Sequence, residues 1–274
     1  FFTKRECQIY IDTCHGIPLK TLGFDIPAGK VSAGNTARNL LAADYLISPN
    51  PFMTQIYQQA FKMEGLYQGK ILEEGQPRND RFFHTDRKTI MDKLSKSGVK
   101  IDPSKKLILY APTWKGSKYS SPDTSLDAYF ELIHTVEANI DTSKYQVLVK
   151  PHQIVYYHIK KNQGITGQFI PATIDTNELL SAVDILISDY SSIYFDFLVS
   201  GRPVLFFIPD LDEYLGYRGL YFGIDKLPGP IARNHRQLGE MIHDVEKAME
   251  PYMDKYQREA AWACPRDDGD VCSR

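Results

Sequence analysis

No stretch of this chain approaches the roughly 20 apolar residues that a bilayer-spanning helix requires, and no charged-then-apolar leader opens it. The expectation is a cytoplasmic protein whose membrane contact, if it has one, is peripheral and made through amphipathic helices. An excess of one charge is also lacking. Its 32 Lys and Arg stand against 34 Asp and Glu, a formal net charge of −2, with no basic run to draw the chain onto nucleic acid or an anionic membrane surface. Nucleic acid is therefore not an expected partner. Cysteine is sparse: Cys7, Cys14, Cys264 and Cys272 lie near the two ends without paired metal-ligand spacing, which points to free thiols in a reducing compartment. A Gly-rich dinucleotide fingerprint, a P-loop and a nucleophile elbow are all missing, so dehydrogenases, P-loop kinases and α/β-hydrolases lose support. No cofactor or metal is called for, because the acidic residues near the motifs are not grouped like a two-metal site.

What the chain does have is 274 residues, 43% of them hydrophobic and 24% charged, enough for one large domain or two medium ones. Apolar runs of strand length alternate with stretches of helical period, the pattern of βαβ units and a mostly parallel sheet. The spacing predicts strands at 8–12, 45–48 and 70–74 with helices near 36–43, 53–63 and 86–97. Breaker residues follow at Gly98 and Asp102-Pro103-Ser104. A second series restarts with the unbroken apolar run 106–111, suited to a strand covered on both faces. It continues with helices at 126–139, 177–182 and 192–199, strands at 145–150, 168–170, 184–188 and 204–207, and a long helical tail over 236–261. Two α/β sheets joined by a short linker leave a cleft faced by strand carboxyl ends.

The residues that carry chemistry sit at those strand ends. Ser188-Asp189-Tyr190-Ser191-Ser192 breaks a buried strand at the mouth of a helix, where backbone N–H groups and two hydroxyls converge and the helix dipole favours a phosphate. Taken alone, Ser191 or Ser192 fits a helix cap equally well. His15 follows the first strand on the turn Gly16-Ile17-Pro18-Leu19-Lys20, and His152 ends the strand exit Lys150-Pro151-His152. A histidine in such a place can take up a proton near neutral pH, although a turn histidine held by hydrogen bonds is the commoner use. A third metal ligand at useful spacing is missing. His84, His134, His158, His235 and His243 occupy polar or helical contexts and are expected at the surface. Thr113-Trp114-Lys115 supplies a hydroxyl, an aromatic face and a cation, and Arg78 in Gly75-Gln76-Pro77-Arg78-Asn79-Asp80 forks onto a phosphate or pairs with Asp80.

These blocks, with Leu227-Pro228-Gly229-Pro230 and the terminal Asp267-Asp268-Gly269, run in order along nearly the whole chain. Together they resemble the CDP-glycerol glycerophosphotransferase family, the teichoic-acid and capsule polyol-phosphate polymerases of bacteria. The resemblance implies an α/β fold of GT-B-like type, two Rossmann-like domains facing a cleft. Residues 1–100 would form the later part of an acceptor-side domain lacking its start, and 104–274 a donor-binding domain with a helical tail. It makes His15 the general base on the acceptor hydroxyl and puts His152, as an imidazolium, on the donor pyrophosphate. Gly16, Ile17, Pro18, Leu19, Arg78, Trp114, Lys115, Lys150, Pro151, Ser191, Ser192, Arg218 and Gly219 become substrate-binding positions. The implied donor is CDP-glycerol or CDP-ribitol, the acceptor a polyol phosphate or lipid-linked glycan, and the place of work the inner face of the cell membrane. Cys14 stands where the family usually has Trp, Lys115 where it has Arg, and Gly223 where an Asp is common. Other readings are a GT-B glycosyltransferase using a nucleotide sugar and a catalytically silent, polymer-binding fragment.

Overall fold

The computed structural model describes residues 3–14, 16–26, 30–113, 126–162, 167–212, 214 and 219–274. Within them the alternation of strand and helix builds two parallel sheets. The smaller has the order β1 (Ile11–Asp12), β2 (Tyr45–Ser48), β3 (Lys70–Glu73), with Leu46 opposite Ile71. Helix α1 (Lys30–Leu41) crosses from β1 to β2, and α2 (Pro51–Ala60) from β2 to β3. The start of α2 is fixed by its sequence. Asn50 accepts from Met53 N at 3.0 Å, and Pro51 takes the first helical position, where its missing N–H costs nothing.

The larger sheet contains β4 (Lys106–Tyr110), β5 (Tyr145–Val149), β6 (Ile185–Ser188), β7 (Val204–Phe207) and β8 (Ile231–Ala232), all parallel in the order β5-β4-β6-β7-β8. Leu109 pairs with Leu148 on one side and Leu186 on the other. The residues of β6 and β7 are buried throughout, as apolar runs covered on both faces should be. From β4 the chain goes by α5 (Asp127–Glu137) to β5 on one flank. It then passes by α6 (Gln153–Asn162) and α7 (Thr176–Ala182) to β6 on the other flank, so the strand order reverses at β4. In open α/β sheets the ligand crevice forms outside the strand carboxyl ends at such a reversal.

Several elements differ from the sequence expectation. Helix α6 is read poorly because its β-branched and aromatic residues look strand-like, yet Val155, Tyr156 and Ile159 are all buried. The strand expected at 168–170 is a single bridge, Phe169 against Val149, at the edge beside β5. The helix expected over 192–199 is α8 (Ile193–Phe197), tightening to a 3-10 turn at Leu198–Ser200. The tail is broken into α9 (His235–His243), α10 (Val245–Met249) and α11 (Met253–Ala263). Asp244 ends one helix and caps the next by accepting from Lys247 N, and Pro251 interrupts the ladder before α11.

Two further helices, α3 (Asp80–His84) and α4 (Arg87–Lys96), lie between the sheets in sequence. Ile90, Met91 and Leu94 of α4 join the larger sheet's core rather than the smaller one's. Ion pairs fasten the contact: Arg87 to Asp184 at 3.0 Å, Lys93 to Glu178 at 2.6 Å and Arg81 to Asp175 at 3.1 Å. Being largely exposed, these pairs orient the helices more than they stabilise them; the buried aliphatic stripe carries the energy. None of the four cysteines is joined in a disulfide. Among the described residues no helix is long and apolar enough to cross a membrane.

Candidate functional site

At the strand reversal a cavity of about 600 Å³ opens. Three neighbouring strands of the larger sheet contribute their exits: Thr113 follows β4, Lys150-Pro151-His152 follow β5, and Ser191 and Ser192 follow β6. Pro18, Leu19, Lys20 and Arg78 enter from the smaller sheet's side. The floor is tied by Asp189, whose carboxylate accepts from Thr113 N at 2.8 and 2.9 Å and from Ser191 N at 3.1 Å. This buried carboxylate fixes two strand exits against one another, using side-chain oxygens where the sheet's own ladder has ended.

Among the described residues, four basic side chains line the cavity. Lys20 Nζ donates to Thr113 Oγ1 at 3.0 Å. Lys150 Nζ donates to a neutral carbonyl, Ile174 O, at 3.1 Å; burial pulls its pKa down to about 8, with Asp175 opposing. His152 accepts at Nδ1 from Ile154 N at 3.4 Å, in the first turn of α6. Burial, and then the neighbouring Lys20, hold its pKa below the usual histidine value. A lowered pKa favours the neutral ring over the expected imidazolium while no anion is bound, and a neutral ring that accepts at Nδ1 carries its proton on Nε2. Arg78, expected to pair with Asp80 or to fork onto a phosphate, pairs with Asp196 of α8 rather than with Asp80, its Nε at 3.3 Å and Nη2 at 2.9 Å from the same oxygen. Burial pushes the Asp196 pKa up and Arg78 pulls it back. Asp80 is otherwise engaged, accepting from Val271 N and Cys272 N at 3.0 and 2.7 Å.

The loop bearing Arg78 is held from behind. Asp267 Oδ1 accepts from Gln76 N at 3.0 Å and Asn79 Nδ2 at 2.8 Å, and Asn79 Oδ1 accepts from Asn177 Nδ2 at 2.6 Å. Gly75 turns the loop at φ +95°, against the Arg266 carbonyl. Gly16 has φ +86°, and a Cβ there would strike the Gln76 amide and the Arg78 guanidinium. The terminal Asp267-Asp268-Gly269 block is therefore a clasp on the site's rim.

Of the sequence-derived positions, the cavity gathers Pro18, Leu19, Arg78, Lys150, Pro151, His152, Ser191 and Ser192. His15, Trp114, Lys115 and Arg218 lie outside the described residues. Three expected substrate-binding positions stand elsewhere than on this cavity's described lining. Ile17 is fully buried in the core, Gly16 packs on the Gln76 loop, and the Gly219 carbonyl accepts from Thr21 N at 3.0 Å. That last bond belongs to a short antiparallel pairing of Lys20 with Leu220, and none of the three lines the cavity. Ser192 stands at the α8 N-cap but makes no capping bond, while Ser191 Oγ accepts only a long one from Ile193 N, 3.4 Å. Asp225 packs its carboxylate over Gly223, away from the cavity lining. His235, expected at the surface, is half-buried, its Nδ1 2.8 Å from Thr135 Oγ1. Sequence reasoning passed over Asp175, Asn177, Tyr190 and Asp196, all of which line the cavity. For Asp196 the signal was available: a lone carboxylate inside the apolar Ile193-Tyr194-Phe195-Asp196-Phe197. Among the described residues, no group of three or more His, Cys, Asp or Glu side chains is placed to hold a metal.

Parallel α/β sheets whose strand ends surround a cavity lined with cations and hydroxyls form the kind of crevice that suits an anionic group at a strand-order reversal. The chain belongs to the CDP-glycerol:poly(glycerophosphate) glycerophosphotransferase family, whose profile matches residues 1–274. It is 34% identical over 272 residues to a teichoic acid poly(glycerol phosphate) polymerase of Bacillus subtilis (strain 168), covering 92% of this chain and 35% of that protein. With a teichoic acid glycerol-phosphate transferase of Staphylococcus aureus (strain NCTC 8325 / PS 47) it shares 32% identity over 285 residues, covering 99% of this chain and 71% of the other. The solved structure of the wall teichoic acid polymerase TagF superposes with a TM-score of 0.79 at 30% identity, covering 99% of this chain and 67% of that one. The chain thus spans about a third of the Bacillus polymerase and about two thirds of the TagF structure.

Proposed function

We propose that this chain transfers glycerol phosphate, or a related polyol phosphate such as ribitol phosphate, from a CDP-activated donor to a polyol-phosphate or lipid-linked glycan acceptor. CMP is released, and the product serves teichoic acid synthesis. The observation that carries the reading is the convergence of Lys20, Arg78, Lys150 and His152 with Ser191 and Ser192 on one cavity. A pyrophosphate placed there meets fixed cations and N–H or O–H donors on the oxygens that gain charge during phosphoryl transfer. In the reaction the acceptor oxygen forms a bond to the phosphorus bearing the polyol, the P–O bond to CMP breaks, and the hydroxyl proton passes to a base. Family resemblance assigns that base to His15, the residue before Gly16 in the sequence. His152, donating from Nε2, supports the departing phosphate.

In this reading residues 1–100 serve the acceptor side and 104–274 the donor side of a GT-B-like cleft, and helices α3 and α4 brace the two. The work is done in the cytoplasm at the inner membrane face, where a lipid-linked acceptor is within reach. No cofactor or metal enters the scheme.

The test offers CDP-glycerol and CDP-ribitol with a short synthetic acceptor and follows nucleotide release and product mass. Expected are CMP and an acceptor heavier by one or more polyol phosphates; release of a nucleoside diphosphate would move the protein to nucleotide-sugar chemistry. His15→Ala is expected to abolish transfer while leaving donor binding largely intact. Full turnover by that variant would end the assignment of the base.

A further inference from the structure

Asp196 lines the cavity with a carboxylate, a group ill suited to meet an anionic ligand. It is only 5% exposed, in the middle of α8 among Tyr194, Phe195 and Phe197, all buried. Both hydrogen bonds to its carboxylate come from one edge of the Arg78 guanidinium, Nε and Nη2, on a single oxygen. With Asp196 buried but the Arg78 side chain 36% exposed, the ion pair is a poor device for stability alone, its attraction being partly screened on one side and offset by desolvation on the other. What it does supply is direction. The backbone of the Arg78 loop is already fixed by Asn79, which bonds Asp267 and Asn177. The side chain's long stem is the remaining freedom, and engaging Nε and Nη2 leaves Nη1 as the unengaged arm of a rigid fork beside the cavity.

We propose that Asp196 is a positioning residue for donor binding: it locks the plane of the Arg78 guanidinium so that the remaining N–H groups meet a phosphate oxygen of the CDP-activated donor. The inference rests on the donor reading above and adds to it a residue that touches the arginine rather than the ligand. It also explains why a carboxylate is tolerated in an anion site, because its charge is neutralised by the group it orients.

The test is a double-mutant cycle on the full chain, reading donor dissociation constants by calorimetry, steady-state kinetics and thermal melts for Arg78→Ala, Asp196→Asn and the double variant. Asp196→Asn is expected to weaken CDP-glycerol binding about tenfold. Its donor KM should rise while the acceptor KM stays unchanged, and the double variant should bind no worse than Arg78→Ala alone. Wild-type donor affinity in Asp196→Asn, with only a lowered melting temperature, would overturn the proposal in favour of a structural pair. Losses that multiply in the double variant would overturn it in favour of direct contact between Asp196 and the ligand. Should Asp196→Asn not fold, the double variant, which removes both charges together, is compared with Arg78→Ala: equal affinity supports positioning and a further loss overturns it. If the wild-type chain itself does not bind CDP-glycerol, the donor reading falls and the inference falls with it, an outcome distinct from the others.

Discussion

Lys150 shows how burial sets the working range of a single side chain. Its ammonium contacts a neutral carbonyl, and with a pKa near 8 it stays charged at neutral pH but discharges well before an exposed lysine would. A phosphate therefore loses one attracting charge as pH rises through about 8. The donor kcat/KM, which reports the free protein's ionisations, is expected to decline on that alkaline limb. Lys150→Met should remove the limb and lower kcat/KM at pH 7 by roughly 10- to 100-fold, as read from CMP release across pH. A limb that persists in the variant would assign it to another group. At this scale the sequence was informative wherever residue types are tied to strand exits. Lys150, His152 and the two serines follow apolar runs and were legible, while the Arg78 partner was not. Asp196 lies 118 positions away, and periodicity carries no information about such pairings.

Among the elements, the short loop of residues 75–80 gains its rigidity from Asp267, whose pKa burial raises to about 6. Its folded-state pKa exceeds the ordinary carboxylate value, so the folded protein keeps a proton that the unfolded chain has released. This contribution to stability is complete below about pH 4 and is lost as pH rises through 6. Asp267→Asn keeps the oxygen that accepts from Gln76 N and Asn79 Nδ2 and carries no charge. Melting temperatures measured from pH 4 to 7 should fall more steeply for the natural chain than for the variant; parallel curves would refute the buried titration. Strands were the most legible elements, since unbroken apolar runs have few alternatives. Helix α6 was missed because Ile154, Val155, Tyr156, Tyr157 and Ile159 have strand-favouring side chains, and tertiary packing overrode that preference.

For the molecule as a whole, the two sheets are joined by more than the chain between them. Phe52 of α2 packs against Tyr221, Phe222 and Trp262 with ring centroids 5.8, 4.9 and 5.5 Å apart, and Asn50 Nδ2 donates to Trp262 O at 3.0 Å. Trp262→Ala is expected to cost about 3–5 kcal/mol and to split one cooperative thermal transition into two, as followed by calorimetry. A single transition shifted downward would mean that other contacts suffice to couple the sheets. The two sheets and their order of appearance were readable from the sequence. The docking of α4 on the larger core and the return of the tail to the smaller sheet were not, because each depends on surfaces that exist only after both halves have formed.

That return of the tail has a consequence for biosynthesis. The stretch that fastens the Arg78 loop is made nearly two hundred residues after it, Asp267 lying 191 positions beyond Gln76. A nascent chain can thus complete both sheets and still hold its arginine loosely until this later stretch has been made.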